Sequence, residues 1–257
     1  MATRTRSDNL PTTYIVNSAL TSPKFGKAFA NGCGGRLSAD PHYLLDGDVA
    51  LFGHPQLFGL LDRARLQNRN WYYGDKAYFG RDVYYRITKN AYMQNGLTGD
   101  DNPTRWRKLG LTIQNWRNGS DILICPQSDV FFKLQAKTQA EWIKATTDEI
   151  KKHTDRRIRI HHKNAANNPE MAFKRQLVNT WAVVVHSSMA GVQATIHGVP
   201  CFATDPNSTS ASFGTTDLTT IETPVKPDNR LQMASILANN QWTISEINSG
   251  LAWECIK

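Results

Sequence analysis

The feature that most limits this chain is a regular alternation beginning near residue 120. Asp121-Ile122-Leu123-Ile124-Cys125-Pro126 is a short apolar run closed by proline. Residues 139–153 follow a helical period, with Trp142, Ile143, Ala145, Thr146 and Ile150 on one face. Residues 157–161 read as a strand, 171–178 as a helix, 181–186 as a buried strand, 187–197 as its helix and 199–203 as the next strand. Helices over 231–239 and 244–250 close the chain. Strands and helices in turn, with the strands apolar on both faces, predict a parallel α/β sheet covered on both sides.

The front of the chain is less regular. Residues 12–18 and 48–53 read as strands, the first followed by a polar loop ending in Asn31-Gly32-Cys33-Gly34-Gly35-Arg36. That run lacks the G-x-G-x-x-G spacing of a dinucleotide site. His54-Pro55 opens a helix with Leu57, Leu60, Leu61, Ala64 and Leu66 on its apolar face, and Trp71-Tyr72-Tyr73-Gly74 is the next strand. Residues 74–118 are rich in Tyr, Arg, Asn and Gly and weakly periodic, which marks a functional or poorly ordered stretch. The 257 residues suit one large or two small domains. The change of pattern divides the chain into 1–118 and 119–257, with the last helix crossing back.

No apolar run approaches the roughly 20 residues of a membrane span. The N-terminus lacks the apolar core of a signal peptide, so a cytoplasmic protein is expected. Cys33, Cys125, Cys201 and Cys255 are too scattered for a zinc site and read as buried thiols, and no metal is expected. The net charge of +8 is uneven: +7 over residues 1–120, +4 over 121–175 and −3 over 176–257. A basic front suggests a polyanionic partner: nucleic acid, acidic glycan or the phosphates of a nucleotide. A solvated basic surface is the plain alternative.

In parallel sheets ligands bind beyond the carboxyl ends of the strands. Those ends carry Gln127 and Ser128, then His161, His162 and Lys163, then His186, Ser187 and Ser188, then Thr204 and Asp205. Ser187 and Ser188 open a helix, whose free N–H groups and dipole favour an anion. His186, His161 and Lys163 add donors and charge. Helix capping and satisfied surface histidines are the bland readings of the same residues.

The segment His186-Ser187-Ser188-Met189-Ala190-Gly191-Val192-Gln193-Ala194-Thr195-Ile196-His197-Gly198-Val199-Pro200 resembles the donor-site signature of GT-B glycosyltransferases. In that signature a small polar turn starts a helix and Gly-x-Glu-Ala-x-x-x-Gly-x-Pro follows. Ile158-Arg159-Ile160-His161-His162-Lys163 resembles the Arg-x-His-Pro strand of Kdo-transferase-like and capsule-type sugar transferases. Asn240-Gln241-Trp242-Thr243-Ile244-Ser245-Glu246-Ile247 with Gly250-Leu251-Ala252-Trp253 resembles endings of related phage-encoded proteins. Two positions depart: the family's Glu is Gln193, which cannot act as a base, and the family's Pro is His162.

The resemblance implies a GT-B-like α/β protein: two Rossmann-like halves facing a central cleft, the N-terminal half reduced. It implies a nucleotide-sugar co-substrate, UDP- or CMP-linked, with no other cofactor and no metal. Gln127, Ser128, His161, Lys163, His186, Ser187, Ser188 and Gln193 become the candidate donor-binding residues. A general base would come from the front half, with Asp75 first, then Asp48 and His54; the aromatics around Asp75 are expected to favour its neutral form.

Arg69, Tyr73, Tyr78, Arg81 and Arg86 are the candidate acceptor-binding residues. Cations interleaved with planar rings suit nucleic acid, and also suit sugars or an aromatic core. The favoured acceptor is a 5-hydroxymethylpyrimidine base in phage DNA, flipped from the duplex. A surface polysaccharide acceptor, and a non-catalytic nucleic-acid or nucleotide-binding module, are the alternatives.

Overall fold

The computed structural model describes residues 10–94, 96–133, 138–162 and 169–257. In chain order the elements are β1 (Thr12–Tyr14), α1 (Ser22–Cys33), β2 (Arg36–Ser38), β3 (Val49–Phe52), α2 (Phe58–Leu66), β4 (Trp71–Lys76) and β5 (Tyr84–Lys89). Then come α3 (Thr104–Lys108), β6 (Asp121–Cys125), α4 (Asp129–Lys133), α5 (Gln139–Ile150), β7 (Ile158–Ile160), α6 (Pro169–Gln176), β8 (Thr180–Val185), α7 (Ala190–Ile196) and β9 (Cys201–Ala203). The chain ends with α8 (Arg230–Asn239), β10 (Trp242–Thr243), α9 (Ile244–Asn248) and α10 (Leu251–Ile256). Among the described residues no helix is long and apolar enough to cross a membrane.

The chain forms two compact units, one of residues 1–92 with 237–257, the other of 93–236. The sequence pattern divided the chain at 118/119 instead. Residues 93–118 join the second unit because their backbone is held there: Gln114 N–H donates to Ile196 O, and Arg117 N–H to Gly198 O. The second boundary, inside α8, returns the last residues to the first unit.

In the first unit the sheet runs β10-β5-β4-β3-β1-β2. β2, β1, β3 and β4 are parallel, β5 is antiparallel to β4, and β10 is antiparallel to β5. Successive side chains point to opposite faces. Val49, Leu51, Trp71 and Tyr73 therefore pack with Leu57, Leu60 and Leu61 beside α2. Ala50, Phe52 and Tyr72 pack with Phe25 and Phe29 of α1 and Ile247 of α9. Leu66, expected on the apolar face of α2, is 85% exposed, because the chain leaves the sheet at that turn.

Helix α1 replaces the polar loop expected there. Pro23 sits in its first turn, Phe25, Phe29 and Cys33 face the core, and Gly34 caps it at φ 70°. Within residues 74–118 the expected irregularity gives way to β5 and α3, while α10 extends the chain's helical end beyond residue 250.

The second unit holds a fully parallel sheet in the order β7-β6-β8-β9. Ile122, Ile124, Ala182, Val184 and Phe202 face Phe132 of α4 and Trp142 and Ile150 of α5. Leu123, Cys125, Val183 and Val185 face Phe173 and Leu177 on one end and Ala194 of α7. This is the doubly covered parallel α/β arrangement that the apolar strands predicted. Helix α5 begins with a capping box between Thr138 and Glu141. All four cysteines are free, and Cys255 is exposed rather than buried.

Candidate functional site

Because β7, β6, β8 and β9 are parallel neighbours, their carboxyl ends share one edge of the second unit's sheet. His161 follows β7, Gln127 follows β6, His186 to Ser188 follow β8 and Thr204 follows β9. Four separated sequence segments thus end along one edge of the sheet. Lys163 lies outside the described residues. His162 and Ser128 are exposed at the same edge.

The loops at this edge are tied to one another. Gln127 Oε1 accepts from Ser187 N–H at 3.2 Å and from Ser187 Oγ at 2.7 Å. Gln139 Nε2 donates to the Gln127 carbonyl at 2.5 Å. His186 Nδ1 lies 2.8 Å from Thr204 Oγ1, which also accepts from Trp142 Nε1 at 2.9 Å. Phe132 stacks on the His186 ring at 5.5 Å. The His161 ring lies 6.0 Å from Phe173, and its N–H backbone donates to Ile124 O. Burial, with the charges of His162 and Arg159, lowers the His161 pKa below 6.5, so the imidazole favours its neutral form.

Two details differ from the sequence reading. Helix α7 begins at Ala190, not at Ser187, and has 7 residues. The N-cap is Met189, with no side-chain cap; Ser188 Oγ accepts from Ala190 N–H at 3.3 Å, while both donors of the buried Ser187 are spent on Gln127. The helix-opening serines therefore organise the loop before they offer anything to an anion. Gln193 is half-buried on α7, and its carboxamide makes no hydrogen bond to another described residue.

The spaced small residues of α7 have packing reasons. A Cβ on Gly191 would meet Ser210 Oγ at 2.7 Å and Ser210 Cβ at 2.8 Å. Gly198 ends the helix at φ 78° and lies against the Asn115 carbonyl, where a Cβ would collide. The Pro200 carbonyl accepts from Val183 N–H, joining β8 to the start of β9.

The first unit places its candidates differently. Asp48 precedes β3 and His54 follows it, so the strand's length of about 13 Å separates them. Asp48 is buried on the amino edge, where it accepts from Asn70 Nδ2 at 3.2 Å. It is not at the edge where ligands bind. Phe52 pairs with Gly74, so Asp75 and His54 share the carboxyl edge. His54 is half-buried and its Nδ1 accepts from Gln56 N–H at 3.4 Å.

Asp75 forms an ion pair with Arg86 at 2.6 Å, and Arg86 also donates to the carbonyls of Lys76 and Tyr92. Arg86 is 4% exposed. Burial works against its charge, but Asp75 and the neighbouring tyrosines outweigh that and raise its pKa. Tyr78 and Tyr73 are buried, with the Arg86 guanidinium 5.6 Å from the Tyr78 ring. From inside the core these three side chains cannot meet an acceptor.

Arg69 donates to the carbonyls of Gly47 and Leu45. Arg36 and Arg63 hold the carbonyls of Asp46, His42 and Pro41 in the same loop, and Tyr14 Oη bridges Leu45 N–H and Tyr43 O. Much of the basic front half thus secures the unit's own backbone. Arg81 alone of the five acceptor candidates is exposed.

No protein-family model and no curated protein sequence matches the chain. Among solved structures, the β-Kdo 2,4 transferase of Thermosulfurimonas dismutans KpsC is similar to it, with a TM-score of 0.51 and 9% identity over 89% of this chain and 90% of that one. The β-Kdo 2,7 transferase of KpsC from the same organism matches with a TM-score of 0.49 and 14% identity, over 95% of this chain and 99% of that one. The first of these is a likeness of fold: a mixed α/β architecture with two parallel-rich sheets.

Proposed function

We propose that the chain is a glycosyltransferase whose nucleotide-sugar donor binds along the carboxyl edge of the second unit's sheet. One observation carries the reading: four adjacent parallel strands end there in Gln127, His161, His186 to Ser188 and Thr204. The fold likeness to a β-Kdo 2,4 transferase supports it. When a sugar leaves its nucleotide, negative charge grows on the departing phosphate, and preorganised N–H and O–H donors stabilise that charge. His161, His186 and Ser188 supply such groups, and the carboxamide of Gln193 suits sugar or ribose hydroxyls. Lys163, which follows His162 in sequence and lies outside the described residues, is the candidate cation for this role.

In this GT-B-like reading the first unit binds the acceptor. The hydroxyl's proton goes to His54 or Asp75, which share a carboxyl edge, and not to Asp48. A glycan hydroxyl is favoured over the 5-hydroxymethylpyrimidine of phage DNA. The reason is that Arg69, Arg86, Tyr73 and Tyr78 are engaged within their own unit. The net charge and Arg81 are what remain in favour of DNA.

The test is thermal unfolding with CMP-, UDP- and GDP-sugars, followed by donor hydrolysis. A cognate donor at a hundredfold excess over its Kd stabilises by about 2.7 kcal/mol. If none of the three raises the midpoint, the donor site is rejected. Hydrolysis of the bound donor separates an enzyme from a binding module. A mobility shift with duplex DNA at low salt that fades as salt rises would restore the DNA acceptor.

A further inference from the structure

We infer that Thr204 and Trp142 are positioning residues that hold His186 in the tautomer with its proton on Nε2. A tryptophan Nε1–H can only donate. At 2.9 Å it occupies one lone pair of Thr204 Oγ1, and the hydroxyl keeps one proton to give. Among the described residues the acceptor within its reach is His186 Nδ1, 2.8 Å away. A neutral imidazole that accepts at Nδ1 carries its proton on Nε2. The opposite tautomer would aim two N–H groups at one hydroxyl oxygen and leave the hydroxyl proton without that acceptor.

The surroundings keep this chain in line. Thr204 N–H donates to Val185 O at 2.9 Å, and Asp205 N–H donates to His186 O at 3.1 Å, so the two strand ends cannot slide apart. Phe132 lies nearly parallel to the imidazole, at 24°, and Trp142 closes on it at 6.0 Å. In this tautomer Nε2 is an N–H donor rather than a base. Any use of it toward a departing phosphate oxygen rests on the transferase reading; the tautomer itself does not.

The experiment is a long-range proton–nitrogen correlation spectrum of the full chain with 15N-labelled histidine, the His186 signals being assigned by loss in His186→Asn. The wild type and Thr204→Ser should show a pyridine-type Nδ1 and a pyrrole-type Nε2. Thr204→Val keeps the shape and removes the hydroxyl; it should give an averaged, mixed signal, as should Trp142→Phe, with the other histidine signals in place. Affinity for the cognate nucleotide sugar should fall about tenfold in Thr204→Val and return in Thr204→Ser. A pyrrole-type Nδ1 in the wild type, or a Thr204→Val spectrum identical to it, overturns the inference. Absence of nucleotide binding with the expected tautomer pattern would reject the transferase reading and uphold the relay.

Discussion

Asp75 is the residue whose meaning changes most between sequence and structure. Among Tyr73, Lys76 and Tyr78 it reads as a carboxylate in an aromatic pocket. In the fold it neutralises the buried Arg86. Removing one partner of such a pair leaves a charge without compensation. Asp75→Asn is therefore expected to lower the unfolding free energy by about 3 kcal/mol, read from urea denaturation. A variant as stable as the wild type but unable to transfer sugar would assign Asp75 to the role of base rather than counter-ion. Composition cannot separate these cases, because an arginine over a tyrosine ring is attractive both inside a core and against a nucleobase. Arg86 over Tyr78 is a contact of the first kind.

At the scale of elements, the α7 segment was legible as a signature and its physical basis was not. Its glycines belong to close approaches made by residues far away in sequence: Ser210 at Gly191 and Asn115 at Gly198. Gly198→Ala combines a left-handed φ with a backbone collision. It should cost about 2 kcal/mol or more, measured as a fall in the denaturation midpoint of the second unit. A loss of a few tenths would mean that the segment at Asn115 moves aside freely. Helix α1 shows the converse. Gly26 and Gly32 weaken its local preference by about 1 kcal/mol each, yet Phe25, Phe29 and Cys33 pack into the core and decide the outcome. Local propensity lost to burial there.

At the scale of the molecule, the first unit is completed by the last residues of the chain. Trp242 in β10 pairs with Tyr85, and Trp253 of α10 lies against Phe29 and Tyr72 at 6.0 and 5.1 Å. Ending the chain at Ile236 would remove the edge strand β10 and the part of one face's cover that α9 and α10 share with α1. Residues 1–92 should then lose near-ultraviolet circular dichroism and become sensitive to protease, although none of them is altered. Retention of a protected, folded first unit in that truncation would show that the terminal segment is an accessory.

The alternation of apolar strands with helices was enough to determine the second unit's parallel sheet and the edge along which Gln127, His161 and His186 lie, because periodicity and burial are local properties of the chain. Which of those groups is already occupied was decided only in three dimensions. The bond from Ser187 to Gln127 spans 60 residues and that from Trp142 to Thr204 spans 62. The ion pair of Arg86 with Asp75 depends on the register of two strands. A polar side chain's role depends on the partner that satisfies it, and in this protein tertiary packing supplies that partner.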